Sequence, residues 1–331
     1  MSNTFVMGGT GFIGTELVKA LVSRGDQVYG LARSQASVRR LRELGATAIE
    51  GDIYQSEKWL SKLPPLDYAI NVLGFFNDPM PSRLSVAFAV KKHERYTLWA
   101  RILIQLAREG KLKAAVHVTG TTIYEERDVD WITERTPLRY KLCGFNRIAY
   151  SATRMMVEAI DSGLPMVVAV APNVVYGPVP DSSFEQIFVE PLRRNMMGVV
   201  GSGKNYIPTG HVEDVGRAIA LVTDARFAGE FFLIAGDDAV TQREFLYAIA
   251  RGLGKKRVMS LPKPVVAVIG GKAAAEFMSL SQRVDNTKLK SAGLVLKHPR
   301  FIDEIDSVMA QLLHARHNRA APAALNAGTR T

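Results

Sequence analysis

A chain of 331 residues, 47% of them hydrophobic, is long enough to bury a sizeable core as one large domain or two small ones. One cysteine, Cys143, excludes an internal disulfide framework, and no apolar run reaches the roughly 18 residues of a membrane helix. The formal charge of +10 is dispersed, without a basic cluster interleaved with aromatics, so it argues against nucleic-acid binding and predicts a solvated basic surface with an anionic small ligand.

The opening "MSNTFVMGGTG" has no basic region ahead of a long apolar run, so a cytoplasmic protein without a signal peptide is expected. "NTFVMG" reads as a first strand running into glycines, and "TELVKALVSRG" as a helix stopped at Gly25. "QVYGLA" is a second strand, "ASVRRLRELG" a helix stopped at Gly45, and "ATAIEGD" a third strand. "DYAINVLG" follows the breaker "LPPL" as a fourth strand, and a long helix is predicted from Leu84 to Glu109. "KAAVHVTG" is a fifth strand, "RIAYSATRMMVEAIDSG" a helix ending at Gly163, and "PMVVAVAPN" a sixth strand. Strands alternating with helices, several of them apolar on both faces, define an α/β class: a doubly wound parallel sheet of Rossmann type covered by helices on each side.

From Tyr176 the pattern loosens into the turn-rich "YGPVPDSSF". A helix at "VEDVGRAIALVTD", a strand at "EFFLIAG" and a helix at "TQREFLYAIARGLG" follow, and the stretch from Pro262 to Leu313 reads as mostly helical. The expected organisation is a dinucleotide-binding core over 1–175 and a mixed region over 176–315 that partly returns to the core and carries a smaller C-terminal substrate-binding lobe. Residues 316–331, rich in Ala, Asn and Gly and without a periodic apolar face, read as a disordered tail.

The strongest local signal is "FVMGGTGFIGTELV". Gly8, Gly11 and Gly14 are spaced Gly-x-x-Gly-x-x-Gly between a strand and a helix, with Thr10, Phe12 and Ile13 in the same loop. The first glycine permits the tight turn, the second lets a pyrophosphate approach the backbone, and the third lets helix pack on strand. The helix start supplies free N–H groups to the anion. At the end of the second strand, "YGLARSQ" holds Arg33 where an acid would bind the ribose 2′-hydroxyl of NAD. A guanidinium suits the 2′-phosphate, so NADP(H) is preferred over NAD(H), with Ser34 as a further hydrogen-bonding group. Arg39 and Arg40 read better as a solvated helix face. Asp52, followed by Ile53, is either an acceptor for the adenine amino group or the N-cap of the next helix.

With these residues in place, the chain resembles the extended short-chain dehydrogenase/reductases, particularly the dihydroflavonol-reductase-like and nucleotide-sugar-epimerase-like branches. The resemblance spans residues 3 to 310 and rests on an ordered series: "GGTGFIG", "GDI", "HVTGTTIYE", "YSATRMMVE", "APNVVYGP" and "GHVEDVGRAI". It implies a seven-stranded Rossmann domain with a smaller substrate lobe, working as a monomer or a homodimer. It also implies a tyrosine acid/base whose pKa of about 10 is brought down by a lysine, and a serine or threonine on the reacting oxygen. Carried over, Tyr150 is the acid/base. Arg154 stands where the lysine belongs, keeping the charge in a bulkier planar fork. Tyr54 and Lys58 repeat the tyrosine–lysine spacing, but near the adenine end, as chance.

The usual serine or threonine position is Gly120, which leaves Thr121 and Thr122 as candidate hydroxyls. His93 occupies a place where the family often has asparagine, read as structural or substrate-side. The resemblance puts Leu73 and Gly74 near the cofactor ribose and Pro172, Asn173 and Val175 against the carboxamide. Phe75, Phe76, Met80, Tyr124, Trp131, Phe145 and Tyr176 are candidate substrate residues. An aromatic, methionine-containing wall suggests an apolar, secondary-metabolite-like ketone or alcohol. No metal-ligand spacing and no Gly-x-Ser-x-Gly nucleophile elbow is visible. The leading reading is an NADP(H)-dependent oxidoreductase. Loss of both lysine and serine leaves open a non-catalytic redox sensor or assembly subunit, and a third reading is an epimerase, dehydratase or isomerase that recycles its cofactor.

Overall fold

The structure, a computed structural model, describes residues 1–73, 86–109, 112–125, 130–139 and 146–327, with side chains throughout except at 86–93, 146–148, 273 and 319–327. The first strands and helices alternate: β1 (Asn3–Met7), α1 (Phe12–Ser23), β2 (Gln27–Ala32), α2 (Gln35–Glu43), β3 (Thr47–Glu50), α3 (Glu57–Leu60), β4 (Tyr68–Asn71), α4 (Val86–Glu109) and β5 (Ala114–Gly120). A short β6 (Trp131–Ile132) precedes α5 (Asn146–Asp161) and β7 (Met166–Ala171). Then come β8 (Val174–Tyr176), α6 (Glu190–Arg193), β9 (Val199–Val200), β10 (Tyr206–Ile207), β11 (Thr209–His211), α7 (Val212–Val222) and β12 (Phe231–Leu233). The chain closes with β13 (Val240–Thr241), α8 (Gln242–Gly252), β14 (Ser260–Leu261), α9 (Lys263–Ile269), α10 (Lys272–Ser279), β15 (Arg283–Val284), α11 (Thr287–Ser291) and α12 (Phe301–Ala327).

Seven strands form one parallel sheet in the order β12-β7-β5-β4-β1-β2-β3. The order reverses between β1 and β4, which opens a crevice at the carboxyl ends of those two strands. The central strands are apolar on both faces because each face is covered. Phe5, Met7, Ala115 and Val168 pack toward α4 and α5, whereas Val6, Val116 and Val167 pack toward α1 and α7. α7 lies against α1 so closely that a Cβ on Gly216 would stand 2.7 Å from backbone atoms of Glu16 and Leu17. A third core, around Phe184, Phe188, Phe245, Phe301 and Met309, builds the smaller lobe. Helix α1 ends as the sequence predicts: Gly25, at φ +91°, donates its N–H to Val22, and the next N–H, of Asp26, reaches Leu21.

Of the stretch expected to be a tail, the described part continues α12 to Ala327, and residues 328–331 lie outside the described residues. Its alanines favour helix without needing a periodic apolar face. A long-range ion pair also anchors it, because Arg316 reaches the buried carboxylate of Glu185 at 2.9 Å and also engages Glu190. No helix among the described residues is long and apolar enough to cross a membrane.

Candidate active site

The site starts from the turn that ends β1. Gly8 takes φ +98°, its carbonyl accepts the N–H of Gly11 at 3.0 Å, and α1 begins at once. A Cβ on Gly14 would lie 2.0 Å from the Gly8 carbonyl oxygen, so only glycine fits there. No side chain caps α1 and no acid sits in its first turn. The helix start therefore presents backbone N–H groups and partial positive charge to the crevice, and the loop fits a dinucleotide pyrophosphate. A cleft of about 1000 Å³ opens from this loop and is lined there by Thr10, Gly11, Phe12, Ile13 and Gly14.

At the adenine end, Arg33 is exposed immediately beyond β2. Ser34 caps α2, its Oγ accepting the N–H of Ser37 at 3.2 Å. Asp52 caps the short turn Ile53–Gln55, accepting the N–H of Tyr54 at 2.9 Å. The two arginines assigned to a solvated face, Arg39 and Arg40, are both exposed, and Arg40 also lines the cleft while paired to Glu43. Lys19 also lines the cleft, paired to Glu16 at 2.7 Å; the sequence reading did not single it out.

At the opposite end, Leu73, Pro172, Asn173 and Val175 line the cleft together with Thr122. The two candidate threonines separate here. Thr121 is fully buried and donates its hydroxyl to Asn173 Oδ1 at 2.7 Å. The amide of Asn173 then donates to Gln282 Oε1, and Gln282 Nε2 donates to the Thr121 carbonyl. Thr122 faces the cleft, and a Cβ on Gly120 would stand 4.0 Å from its Oγ1. That hydroxyl therefore borders the space the family's serine side chain would enter. Thr153 fixes α5 on β5, its Oγ1 lying 2.9 Å from the Ala149 carbonyl and 3.2 Å from Thr119 Oγ1.

Ala149 lines the cleft and Tyr150, beside it, is half-buried. The guanidinium of Arg154 pairs with the Glu158 carboxylate at 3.3 Å; interaction with the nearby Tyr150 side chain, then with Glu158, raises its pKa. Tyr150 and Arg154 are not themselves among the cleft-lining residues. The guanidinium is held by the i+4 carboxylate on the exposed side of α5, which is a different placement from the ribose-binding lysine that the resemblance implies.

Two expected substrate residues are corrected. Tyr124 and Tyr176 are each 1% exposed, and neither hydroxyl has a hydrogen-bond partner. Tyr176 alternates inward from β8, its ring edge-on to Phe184, His211 and Phe301. Burial raises both phenol pKa values. Trp131 is 43% exposed under the Arg283 guanidinium and does not line the cleft. Gly74, Phe75, Phe76, Met80 and Phe145 lie outside the described residues, as does the side chain of His93.

The sequence reading missed Tyr96 of α4, buried beside Leu73 at the cleft. It also missed the wall made by Val179, Phe184, Ile187, Phe188 and Phe277. Its signal was "SSFEQIF", which reads as loop because its start is turn-rich. Asp181, at φ +61°, anchors that wall by donating its N–H to Glu185, the carboxylate that Arg316 also holds.

The histidines, scattered in sequence, are partly gathered. His211, Glu213 and His298 have ligand-capable atoms within 4.8 Å of one another, but Glu213 is committed to Lys297 and His298, and none of the three lines the cleft. Burial, then the neighbouring His298, lowers His211 to about 4, and burial alone lowers His117 to about 4. Both are therefore neutral in the folded chain, with an unfolded value near 6.5. Their stability contribution is complete above pH 6.5 and is lost as pH falls from there toward 4. From pH 6.5 to 5 each costs about 2 kcal/mol. Melting curves of wild type at pH 7 and 5 should show this loss. His117→Leu should lower stability at pH 7 but reduce the pH-dependent drop by about 2 kcal/mol; an unchanged drop would contradict the assignment.

A seven-stranded doubly wound sheet with this glycine loop at its switch point defines a dinucleotide-binding fold of Rossmann type. Comparison with known proteins then places it: residues 4–235 match the NAD dependent epimerase/dehydratase family, and the chain belongs to that family. It is 25% identical over 262 residues to the 4-hydroxy-2-methyl-3-oxo-4-farnesyl-3,4-dihydroquinoline-1-oxide ketoreductase of Stigmatella aurantiaca, covering 78% of this chain and 76% of the relative. It is 24% identical over 275 residues to the mouse decarboxylating sterol-4-alpha-carboxylate 3-dehydrogenase, covering 75% and 68%. The solved structure of human epimerase family protein SDR39U1 (isoform2) with NADPH superposes with a TM-score of 0.71 at 22% identity, covering 93% of this chain and 99% of that one. The protein is thus an NAD(P)-dependent enzyme of the extended short-chain dehydrogenase/reductase type.

Proposed function

We propose that the chain is an NADP(H)-dependent ketone reductase or alcohol dehydrogenase for an apolar, secondary-metabolite-like small molecule, with Tyr150 as acid/base. The observation that carries this is the make-up of one cleft. It is lined by the pyrophosphate loop, by Thr122, and by Phe277 and the stretch after Val179, where Val179, Phe184, Ile187 and Phe188 are interspersed with Asp181, Ser182, Ser183 and Gln186. The three phenylalanines and two aliphatic side chains in that lining offer a hydrophobic carbonyl compound apolar contact, with a few polar groups to orient it. The farnesyl-quinoline and sterol in the two relatives' names support the same class. Arg33 at the end of β2, with no acid beside it, favours the 2′-phosphate, as does the NADPH in the human structure.

Gly8–Gly14 hold the pyrophosphate, Arg33 the 2′-phosphate, and Pro172, Asn173 and Val175 the carboxamide. The bound cofactor supplies or accepts the hydride. In reduction Tyr150 passes its hydroxyl proton to the carbonyl oxygen, and in oxidation it takes that proton back. Thr122 donates to the same oxygen, and the positive charge of Arg154 is one helical turn from Tyr150.

A screen of apolar ketones with NADPH tests the reading. Alcohol should form in step with NADPH consumed, and Thr122→Ala should lower kcat about 10²-fold. Product without net consumption of NADPH would move the chain to the recycling enzymes, and full activity of the Thr122 variant would remove that residue from the site.

A further inference from the structure

β14 and α9, between α8 and α10, carry a surface that the cleft does not use. α9 has no buried residue, although every residue after Pro264 in it is apolar. Val265, Val268 and Ile269 fall at i, i+3 and i+4, on one face of the helix. That face points outward, with Val265 38%, Val268 72% and Ile269 67% exposed. Met259, just ahead of β14, is 46% exposed. A helix of a folded monomer ordinarily turns such a stripe inward, and an exposed apolar patch rimmed by charge marks a docking surface.

The rim is mainly basic, with Lys272 facing Glu276 of α10 at 3.9 Å. Residues 245–275 contain Arg251, Lys255, Lys256, Arg257, Lys263 and Lys272 and no acid. Arg251 is engaged by Asp306 and Lys255 by Asn195, whereas Lys256, Arg257 and Lys263 are exposed and flank Met259 and Val265 in sequence. An apolar face within a cationic rim complements a surface that is apolar at depth and anionic at its boundary. A bilayer containing anionic lipid has that profile. The next helix, α10, packs beside α9 and contributes Phe277 to the cleft wall.

We infer that α9 and its basic rim dock this protein on an anionic lipid bilayer, with Val265, Val268 and Ile269 in the headgroup–acyl boundary. Docked this way, the Phe277 side of the cleft sits near the membrane, where apolar molecules concentrate. The inference goes beyond the proposed reaction and does not depend on it, because its test measures partitioning and not turnover.

The test is co-sedimentation of the full chain with vesicles of phosphatidylcholine alone, or with phosphatidylglycerol as about a third of the lipid. Wild type should partition at least about tenfold more strongly to the anionic vesicles and be released by high salt. Val268→Asp combined with Ile269→Asp should lower partitioning about tenfold or more, with melting temperature and NADPH affinity unchanged. Lys256→Glu combined with Arg257→Glu should do the same. No partitioning to either vesicle overturns the inference. So does wild-type partitioning of the aspartate variant, which would reduce the effect to diffuse surface charge. A wild-type dimer in sedimentation velocity that the aspartate variant converts to monomer also overturns it, by assigning the face to a second copy of the chain.

Discussion

Tyr150→Phe removes one hydroxyl and should lower turnover by about 10²–10⁴-fold, the range for loss of a positioned general acid. NADPH affinity should change by less than about threefold, because the glycine loop and Arg33, not the phenol, are assigned the bulk of the cofactor contacts. The local structure makes Tyr150 the residue to test. It adjoins Ala149 in the cleft lining, Thr153 pins its helix to β5, and the positive charge of Arg154 is one helical turn away. A structural tyrosine would lower melting temperature and leave kcat per folded molecule intact. Unchanged turnover in the Phe variant would sink the acid/base role.

Gly14→Ala should abolish cofactor binding. The new Cβ would lie 2.0 Å from the Gly8 oxygen, 2.8 Å from its carbonyl carbon and 2.9 Å from Gly9 Cα. All three are backbone atoms, so no rotamer relieves the clash and the loop must open. Opening it displaces the N–H groups that face the pyrophosphate; NADPH affinity should fall more than about 100-fold, or about 2.7 kcal/mol. Gly25→Ala is the matched control. Gly25 has φ +91° but nothing within 4 Å of an added Cβ, so it should cost about 1 kcal/mol of stability and leave NADPH binding intact. Equal loss of binding in both variants would show that general destabilisation, not the loop, governs affinity.

The sheet was legible because local pattern determines it. β1, β5 and β7 are apolar runs that end at or next to glycine or proline, and α1 ends on a glycine that can take positive φ. The phosphate loop was legible for the same reason, since strand, glycines and helix are contiguous. What was not legible depends on distance or direction. Asn173 is bonded by Gln282, 109 residues away, and this contact decides that Thr121 is spent while Thr122 faces the cleft. Tyr176 is next to a cleft residue in sequence but on the opposite side of a strand, so it enters the core. Arg316 is in a stretch whose composition suggests a tail, yet it holds Glu185, 131 residues away, and through it the cleft wall. Arg154 could be placed by motif spacing, but the direction of its fork is set by Glu158 one turn on.

The most direct test is a calorimetric titration of the purified chain with NADPH and, separately, with NADH, repeated on Arg33→Ala. The predicted result is NADPH at least tenfold tighter, about 1.4 kcal/mol, with that preference lost in the Arg33 variant. NADH binding as tightly as NADPH would contradict the cofactor assignment, and binding of neither would reduce the glycine loop to a packing device.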